Sequence, residues 1–211
     1  MFCLPGTCML YQAPSCRSSM TTNTDKADII QAICDAVTHG EESEVSSAAS
    51  QYPFTPPQRS GRKYTPLDAT RIFIRDGFID RYSGTRLINP GVLRLLSELY
   101  PSLFPFQKNW KMSETHPAYW ELMPTIDHVV AVAKGGTDSE ENWITTSMLR
   151  NSAKANWTVE ELGWQVFPAG KLSDWDGLTQ WLLEYVESHD QEKLSQYVKR
   201  WGNAARRIFK P

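Results

Sequence analysis

Asp127 and His128 are adjacent in an apolar stretch, and their side chains are the ones in this chain best suited to chemistry. The carboxylate of Asp127 is a hard oxygen ligand of the kind that Mg²⁺ and Mn²⁺ prefer, and the amide of Asn151 supplies a second oxygen. An imidazole with an unperturbed pKa of about 6.5 can take a proton from water near neutral pH. These residues predict one loosely held divalent cation, open to water and to a substrate phosphate, with a general base beside it.

The segment that carries these residues, 125–156, is predicted to form a strand, a loop, a second strand and a helix. Two adjacent glycines in the loop permit a tight turn, because glycine adopts positive φ without steric cost. Residues 143–146 are β-branched or aromatic, which favours a strand. Ser147 can then cap a helix that contains several good helix formers.

Two side chains of this segment have expected positions that follow from its strands. Neighbouring residues of a strand point to opposite sides, so Asp127 and His128 are expected to face different directions. Asn142 begins the second strand, where its amide can bridge backbone groups of the loop. We therefore expect Asn142 to fix the hairpin that presents His128.

This order of residues resembles the HNH endonucleases, whose core is the ββα-metal motif. The resemblance rests on the Asp-His pair, the two glycines, Asn142, Asn151, and Lys154 three residues later. It assigns His128 to the first letter and Asn142 to the second, with Asn151 where the third histidine often stands, which makes the chain an H-N-N variant.

The resemblance, which covers about residues 62–165, implies a function and a role for each residue. It implies metal-dependent hydrolysis of phosphodiester bonds in DNA, most readily double-stranded DNA. His128 would be the general base that deprotonates the attacking water. Asp127 and Asn151 would hold one Mg²⁺ or Mn²⁺ ion against the scissile phosphate and the leaving oxygen. The catalytic set is then Asp127, His128, Asn142 and Asn151.

Many HNH proteins brace this motif with a zinc ion held by two Cys-x-x-Cys pairs. Residues 80–83 and 147–150 stand where those pairs would be, and they contain no cysteine. We therefore predict no structural zinc. Apolar packing by the nearby Trp, Phe, Leu and Tyr side chains is expected to replace it.

The predicted fold class is α+β, a mostly helical domain around a ββα-metal core. Helices are expected at 24–38, from Pro66, at 91–100, at 173–188 and near the C-terminus, with a second short helix as an option at 41–51. The predicted divisions are a disordered extension at 1–23, a helical appendage with linker at 24–60, the HNH nuclease core at 61–166 and C-terminal helices packed on the core at 167–211. Met20 is an alternative first residue to Met1.

Nucleic-acid affinity must come from local basic patches, because the formal net charge of the 211 residues is −2. The predicted contacts are six basic side chains: Arg62, Lys63, Arg71, Arg75, Arg150 and Lys154. Arg71 and Arg75 have an alternative, which is to pair with Asp68 and Asp76. The basic last helix can grip a phosphate backbone or serve as a solvated face.

The composition indicates the class of protein and its expected cellular location. Hydrophobic residues make up 41% of the chain and charged residues 22%, which is typical of a globular protein, and no apolar run approaches a membrane span. The four cysteines lie early, without metal-type spacing, so a reducing, cytoplasmic location is expected.

Two other functions stay open at the level of the sequence. One is a non-catalytic nucleic-acid-binding module that keeps the HNH fold without cutting. The other is a protein-interaction module that uses the terminal helices, which are also the candidate contact for a homodimer.

Overall fold

The computed structural model describes residues 25–54 and 64–209. The chain divides into two compact units, Met1–Pro56 and Pro57–Pro211. Several predictions fall outside the described residues: the extension at 1–23, both candidate first residues, and the predicted contacts Arg62 and Lys63.

The first unit is a helical hairpin. Helix α1, Lys26–His39, is followed by α2, Glu42–Ser50, and the two pack against each other. The side chain of Asp25 caps α1 by accepting a hydrogen bond from the backbone N–H of Ala27. Gly40 ends α1 with a φ of 73°, a conformation that favours glycine. The predicted cap, Thr24, lies outside the described residues.

The second unit is a mixture of helix and sheet in which helix predominates. Its elements in chain order are α3 (Pro66–Arg75), α4 (Pro90–Leu99), α5 (Ala118–Glu121), β1 (Pro124–His128), β2 (Trp143–Ser147), α6 (Met148–Lys154), α7 (Thr179–Ser188) and α8 (Gln196–Phe209). The α+β, mostly helical class predicted from the sequence is therefore present in the described residues.

The sheet is a pair of antiparallel strands, β1 and β2, which lie directly before α6. In its register Asp127 is opposite Ile144, and His128 is opposite Trp143. Ser147 caps α6, as predicted, because its hydroxyl accepts a hydrogen bond of 3.2 Å from the backbone N–H of Arg150. The predicted succession of strand, loop, strand and helix is confirmed.

Helix α3 anchors the sheet to the rest of the unit. It begins with the predicted Thr65 cap and Pro66, and Asp68 completes a capping box. Its buried residues pack with Ile126 of β1, and the ring of Phe73 stacks on Trp201 of α8 at 6.1 Å. A second cluster joins α4, α7 and α8 through Val92, Leu95, Leu182, Val186 and Val198.

Helix α7 begins at Thr179, later than the start at Ser173 that the sequence predicts. Tertiary contacts hold the preceding residues in another conformation. The indole of Trp175 donates to the carbonyl of Leu87 at 2.7 Å. Gly177 has a φ of 68° and lies so close to Phe78 that a Cβ would be 2.4 Å from the ring. Oδ2 of Asp176 accepts a hydrogen bond of 2.8 Å from the N–H of Gln180 in the first turn of α7. Asp176 therefore has the capping role that the sequence predicted for Ser173.

None of the helices in the ranges 25–54 and 64–209 combines the length and the apolar character needed to cross a membrane.

Candidate active site

One side of β1 carries a buried carboxylate with two donors. Asp127 is buried, and its Oδ2 accepts a hydrogen bond of 2.7 Å from the hydroxyl of Tyr82. The ammonium group of Lys154 lies 2.9 Å from the same oxygen. Burial, and next the charge of Asp127, raises the pKa of the Tyr82 hydroxyl above its ordinary value. Tyr82 therefore stays protonated and donates to Asp127.

Lys154 of α6 connects that helix to β1 through two polar contacts. Its side chain is 0% exposed, and its Nζ also donates to the backbone carbonyl of His128 at 2.7 Å. A fully buried ammonium group is stable only when it is paired and hydrogen-bonded, and both conditions are met here. The sequence-based prediction that Lys154 contacts nucleic acid does not fit this arrangement, because its charge is enclosed and already neutralised by Asp127.

Asn151 lies on α6 with its amide nitrogen turned toward β1. The nitrogen donates to the carbonyl of Ile126 at 3.2 Å and to the hydroxyl of Thr125 at 3.4 Å. A carbonyl accepts only from the NH₂ end of an amide, so this contact sets the orientation of the side chain. The oxygen of Asn151 consequently points away from those two groups.

Two side-chain oxygens of Asp127 and Asn151 are the candidates here for metal ligands. Within the described residues, the hydrogen bond and the ion pair of the Asp127 side chain both involve Oδ2. Oδ1 of Asp127 and the amide oxygen of Asn151 are then the two oxygens that can serve as ligands. In the part of the chain that the structure describes, no group of three or more His, Cys, Asp or Glu is placed to hold a metal. A cation held by one carboxylate and one amide would keep water or phosphate at its other positions.

His128 has different side-chain neighbours from Asp127. Its Nε2 lies 2.8 Å from Oδ1 of Asp138 and 3.0 Å from the indole nitrogen of Trp143. The same indole nitrogen lies 3.2 Å from Oδ1 of Asp138. The imidazole is thus placed by a carboxylate and an indole, and its side chain is 7% exposed while that of Asp138 is 46% exposed.

These contacts couple the proton position on His128 to Asp138. An indole N–H only donates, so Nε2 cannot accept from Trp143 and donate to Asp138 at the same time. When Nε2 carries the proton it donates to Asp138, and the indole of Trp143 can turn to the same carboxylate. The lone pair of the neutral ring is then on Nδ1, which is the tautomer that a carboxylate partner favours.

Asn142 closes the loop that follows His128. Its amide oxygen accepts from the N–H of Val130 at 2.9 Å, and its nitrogen donates to the carbonyls of Val130 and Thr137, both at 2.8 Å. Gly136 is needed in the same loop, because a Cβ there would lie 1.9 Å from the carbonyl oxygen of Val130. The amide of Asn142 bridges the loop as the sequence indicated.

Two buried carboxylates brace β2, and one of them, Asp80, stands in the segment 80–83 where the resemblance would place the first cysteine pair. Oδ1 of Asp80 accepts from the hydroxyl of Thr146 at 3.0 Å, and its Oδ2 accepts from the N–H of Ser147 at 3.0 Å. Asp76 accepts from the N–H of Thr145 at 2.7 Å and pairs with Arg81 at 3.0 Å. The expected apolar brace is also present, with Tyr82 in a buried cluster, but sequence reasoning missed this polar one.

The predicted nucleic-acid contacts on α3 and α6 have different environments. Arg75 pairs with Asp76 at 3.0 Å and donates to the carbonyls of Glu140 and Trp143, so the pairing alternative holds for this residue. The guanidinium of Arg150 lies 5.3 Å from the ring centre of Trp164. Arg71 is exposed. Arg71 and Arg150 therefore remain candidate contacts, and Arg75 serves to fix β2.

Three residues that shape the site were missed from the sequence: Tyr82, Asp80 and Asp138. Tyr82 and Asp80 contact residues far along the chain, and nothing local marks them. Asp138 had a usable signal. It follows the glycine turn and precedes Asn142 in a loop between paired strands, which places it near the end of β1, where His128 lies.

Nothing matched this chain in comparisons with protein-family models, with curated proteins and with solved structures.

Proposed function

We propose that this protein is a metal-dependent endonuclease that hydrolyses phosphodiester bonds in DNA. The observation that carries the proposal is the end of β1, where Asp127 and His128 have separate sets of side-chain partners. Asn151 of α6 is fixed against the same strand by its bond to Ile126. The resemblance to the HNH endonucleases in residue order supports the same conclusion.

Each residue has a part in the proposed reaction. Asp127 and Asn151 would hold one Mg²⁺ or Mn²⁺ ion, which would supply Lewis-acid stabilisation of charge on the phosphate and the leaving oxygen. His128 takes the proton of the attacking water, and the carboxylate of Asp138 stabilises the imidazolium that forms. Lys154 and Tyr82 keep Asp127 in place, because both bind its Oδ2.

The substrate class follows from the reaction centre and from the charge of the chain. A cation with two protein ligands would have positions left for phosphate oxygens, and a histidine near the same strand end suits the activation of water. With a formal net charge of −2, binding must depend on local basic groups such as Arg71 and Arg150. Backbone contacts of this kind do not read sequence, so we propose duplex DNA without assigning a recognition site.

A nicking assay tests the proposal. Supercoiled plasmid is incubated with the protein in Mg²⁺, in Mn²⁺ and in chelator, and relaxed and linear products are measured over time. We expect nicking with either metal and none in chelator. His128→Ala should reduce the rate by about 10²–10⁴-fold, which is the usual contribution of a general base.

The matched control is His39→Ala, which removes an exposed histidine of the first unit and should leave the rate unchanged. Nicking that persists at the full rate in His128→Ala would remove His128 from the mechanism. A wild-type protein that cuts in no metal would overturn the nuclease assignment itself.

One observation favours a second candidate, a nucleic-acid-binding module that does not cut. The side chain of His128 is 7% exposed, and Asp138 lies against its Nε2. A base this enclosed reaches water over a small part of its surface. This candidate predicts DNA binding that weakens with salt and the absence of nicking in every metal, so the same assay separates the two.

A further inference from the structure

An open groove of about 410 Å³ lies between the start of α3 and the outer face of α8. Thr65, Pro66 and Leu67 line one wall, and Arg200, Asn203 and Arg207 line the other. The three α8 residues are spaced three and four apart, so they form one stripe along the helix. All three are exposed.

The two arginines of the groove, Arg200 and Arg207, differ from Arg206 in their side-chain partners. Among residues 25–54 and 64–209, neither Arg200 nor Arg207 forms an ion pair or a side-chain hydrogen bond. Their neighbour Arg206 differs, because its guanidinium lies 3.8 Å from Glu187 and donates to Asn203 at 3.0 Å. The groove therefore presents two positive charges that no described acidic group neutralises.

The acidic side chain nearest to the groove in sequence is already bonded. Asp68 is in the first turn of α3, and its Oδ2 accepts from the hydroxyl of Thr65 at 2.6 Å and from the N–H of Thr65 at 3.2 Å. This capping role holds the carboxylate on its own helix, which leaves the arginines of α8 to an external anion.

Aromatic contacts connect the groove with the candidate active site. The ring of Tyr64, which immediately precedes Thr65, packs edge-on against Trp143 with the ring centres 5.0 Å apart. The indole nitrogen of Trp143 is in turn 3.0 Å from Nε2 of His128. Tyr64 and Trp143 therefore link the start of α3, which lines the groove, to the imidazole of His128.

We propose that this groove holds the sugar-phosphate backbone of duplex DNA beside the His128 site. The inference rests on the proposed function and names the surface that holds its substrate. A guanidinium is suited to phosphate because its N–H groups donate in a planar fork. An exposed arginine that has no carboxylate partner within the protein is available to bind a phosphate.

The test is the salt dependence of DNA binding in chelator, where no cutting occurs. A fluorescein-labelled duplex is titrated with wild type, Arg200→Ala, Arg207→Ala and Arg206→Ala, and anisotropy gives Kd at several salt concentrations. Loss of one phosphate contact lowers the slope of log K against log salt by about 1. We expect that change, with binding weakened about three- to tenfold, for Arg200→Ala and for Arg207→Ala.

Arg206→Ala is the matched control, because it removes the same charge from the adjacent position of the same helix. Its slope should stay near that of wild type, since its guanidinium is paired with Glu187. Equal effects of all three variants would show that only net charge affects binding, which would contradict DNA binding in the groove. Unchanged slopes for Arg200→Ala and Arg207→Ala would contradict it as well. Nicking is measured separately, so failure of the proposed DNA contact in the groove can be distinguished from failure of the nuclease assignment.

Discussion

The two sides of strand β1 are stabilised in different ways. On the Asp127 side, the partners are Tyr82 and Lys154, which are both buried. On the His128 side, the carboxylate partner is Asp138, which belongs to an exposed loop. Asp127 and His128 are themselves both buried, but the partners of Asp127 are buried and the carboxylate partner of His128 is exposed.

This difference indicates a division of roles. The side that would hold the cation is built into the core, so its geometry is set when the domain folds. The side that carries the base is completed by a loop that solvent reaches, and such loops contribute little to global stability. Substitutions on the first side should therefore lower stability, and substitutions on the second should lower activity.

Lys154→Met should have the largest effect. It removes the buried ammonium group and leaves the buried carboxyl of Asp127 without its counter-ion, so the free energy of unfolding should fall by about 3–5 kcal/mol. Urea denaturation measures this. Lys171→Met, an exposed lysine replaced in the same way, should stay within about 0.5 kcal/mol of wild type.

A double variant sharpens this prediction. Asp127→Asn together with Lys154→Met removes both charges, so it should recover part of the stability that Lys154→Met loses. If Lys154→Met costs less than about 1 kcal/mol, the Asp127 side is not the buried, charge-paired side described above.

Asp138→Asn should have a smaller effect than Lys154→Met, and it should change the nicking rate instead of the stability. The amide keeps the shape of the side chain but no longer stabilises an imidazolium, so single-turnover nicking should slow by about tenfold or more. Stability should change by less than about 0.5 kcal/mol, because Asp138 is exposed. Nitrogen NMR of the imidazole should show a smaller fraction of the Nε2-protonated tautomer of His128.

The control for Asp138→Asn is Glu141→Gln, which removes an exposed carboxylate of the same loop whose side-chain partner is Ser139. It should leave both the nicking rate and the tautomer unchanged. A rate for Asp138→Asn equal to that of wild type, with an unaltered tautomer, would show that Asp138 does not position the base.

The parts of the fold predicted from the sequence are those with local causes. The Ser147 cap, the start of α3 at Thr65-Pro66 and the loop bridge of Asn142 each depend on residues within one turn or one hairpin. The contact of Tyr82 with Asp127 spans 45 positions, and that of Asp80 with Ser147 spans 67. Contacts of this length have no periodic signal, which is why the polar brace was missed.

The burial of Lys154 and the late start of α7 have the same explanation. A lysine on a short polar helix is usually solvated, and only the packing of α6 on β1 encloses this one. Ser173 is a good cap by residue type, but the close approach of Gly177 to Phe78 sets the path of the chain there. In both cases tertiary contacts outweigh the local preference.

The most direct test of the account is Mn²⁺ binding, followed by electron paramagnetic resonance without DNA, in wild type, Asn151→Ala and Asn151→Asp. These variants leave the buried pair of Asp127 and Lys154 intact, and circular dichroism checks their fold. We expect one Mn²⁺ per chain in wild type, binding weakened about tenfold or more in Asn151→Ala, and tighter binding in Asn151→Asp, because a carboxylate is the stronger ligand. Mn²⁺ binding that is the same in all three proteins, or that is absent from wild type, would contradict a cation held between Asp127 and Asn151.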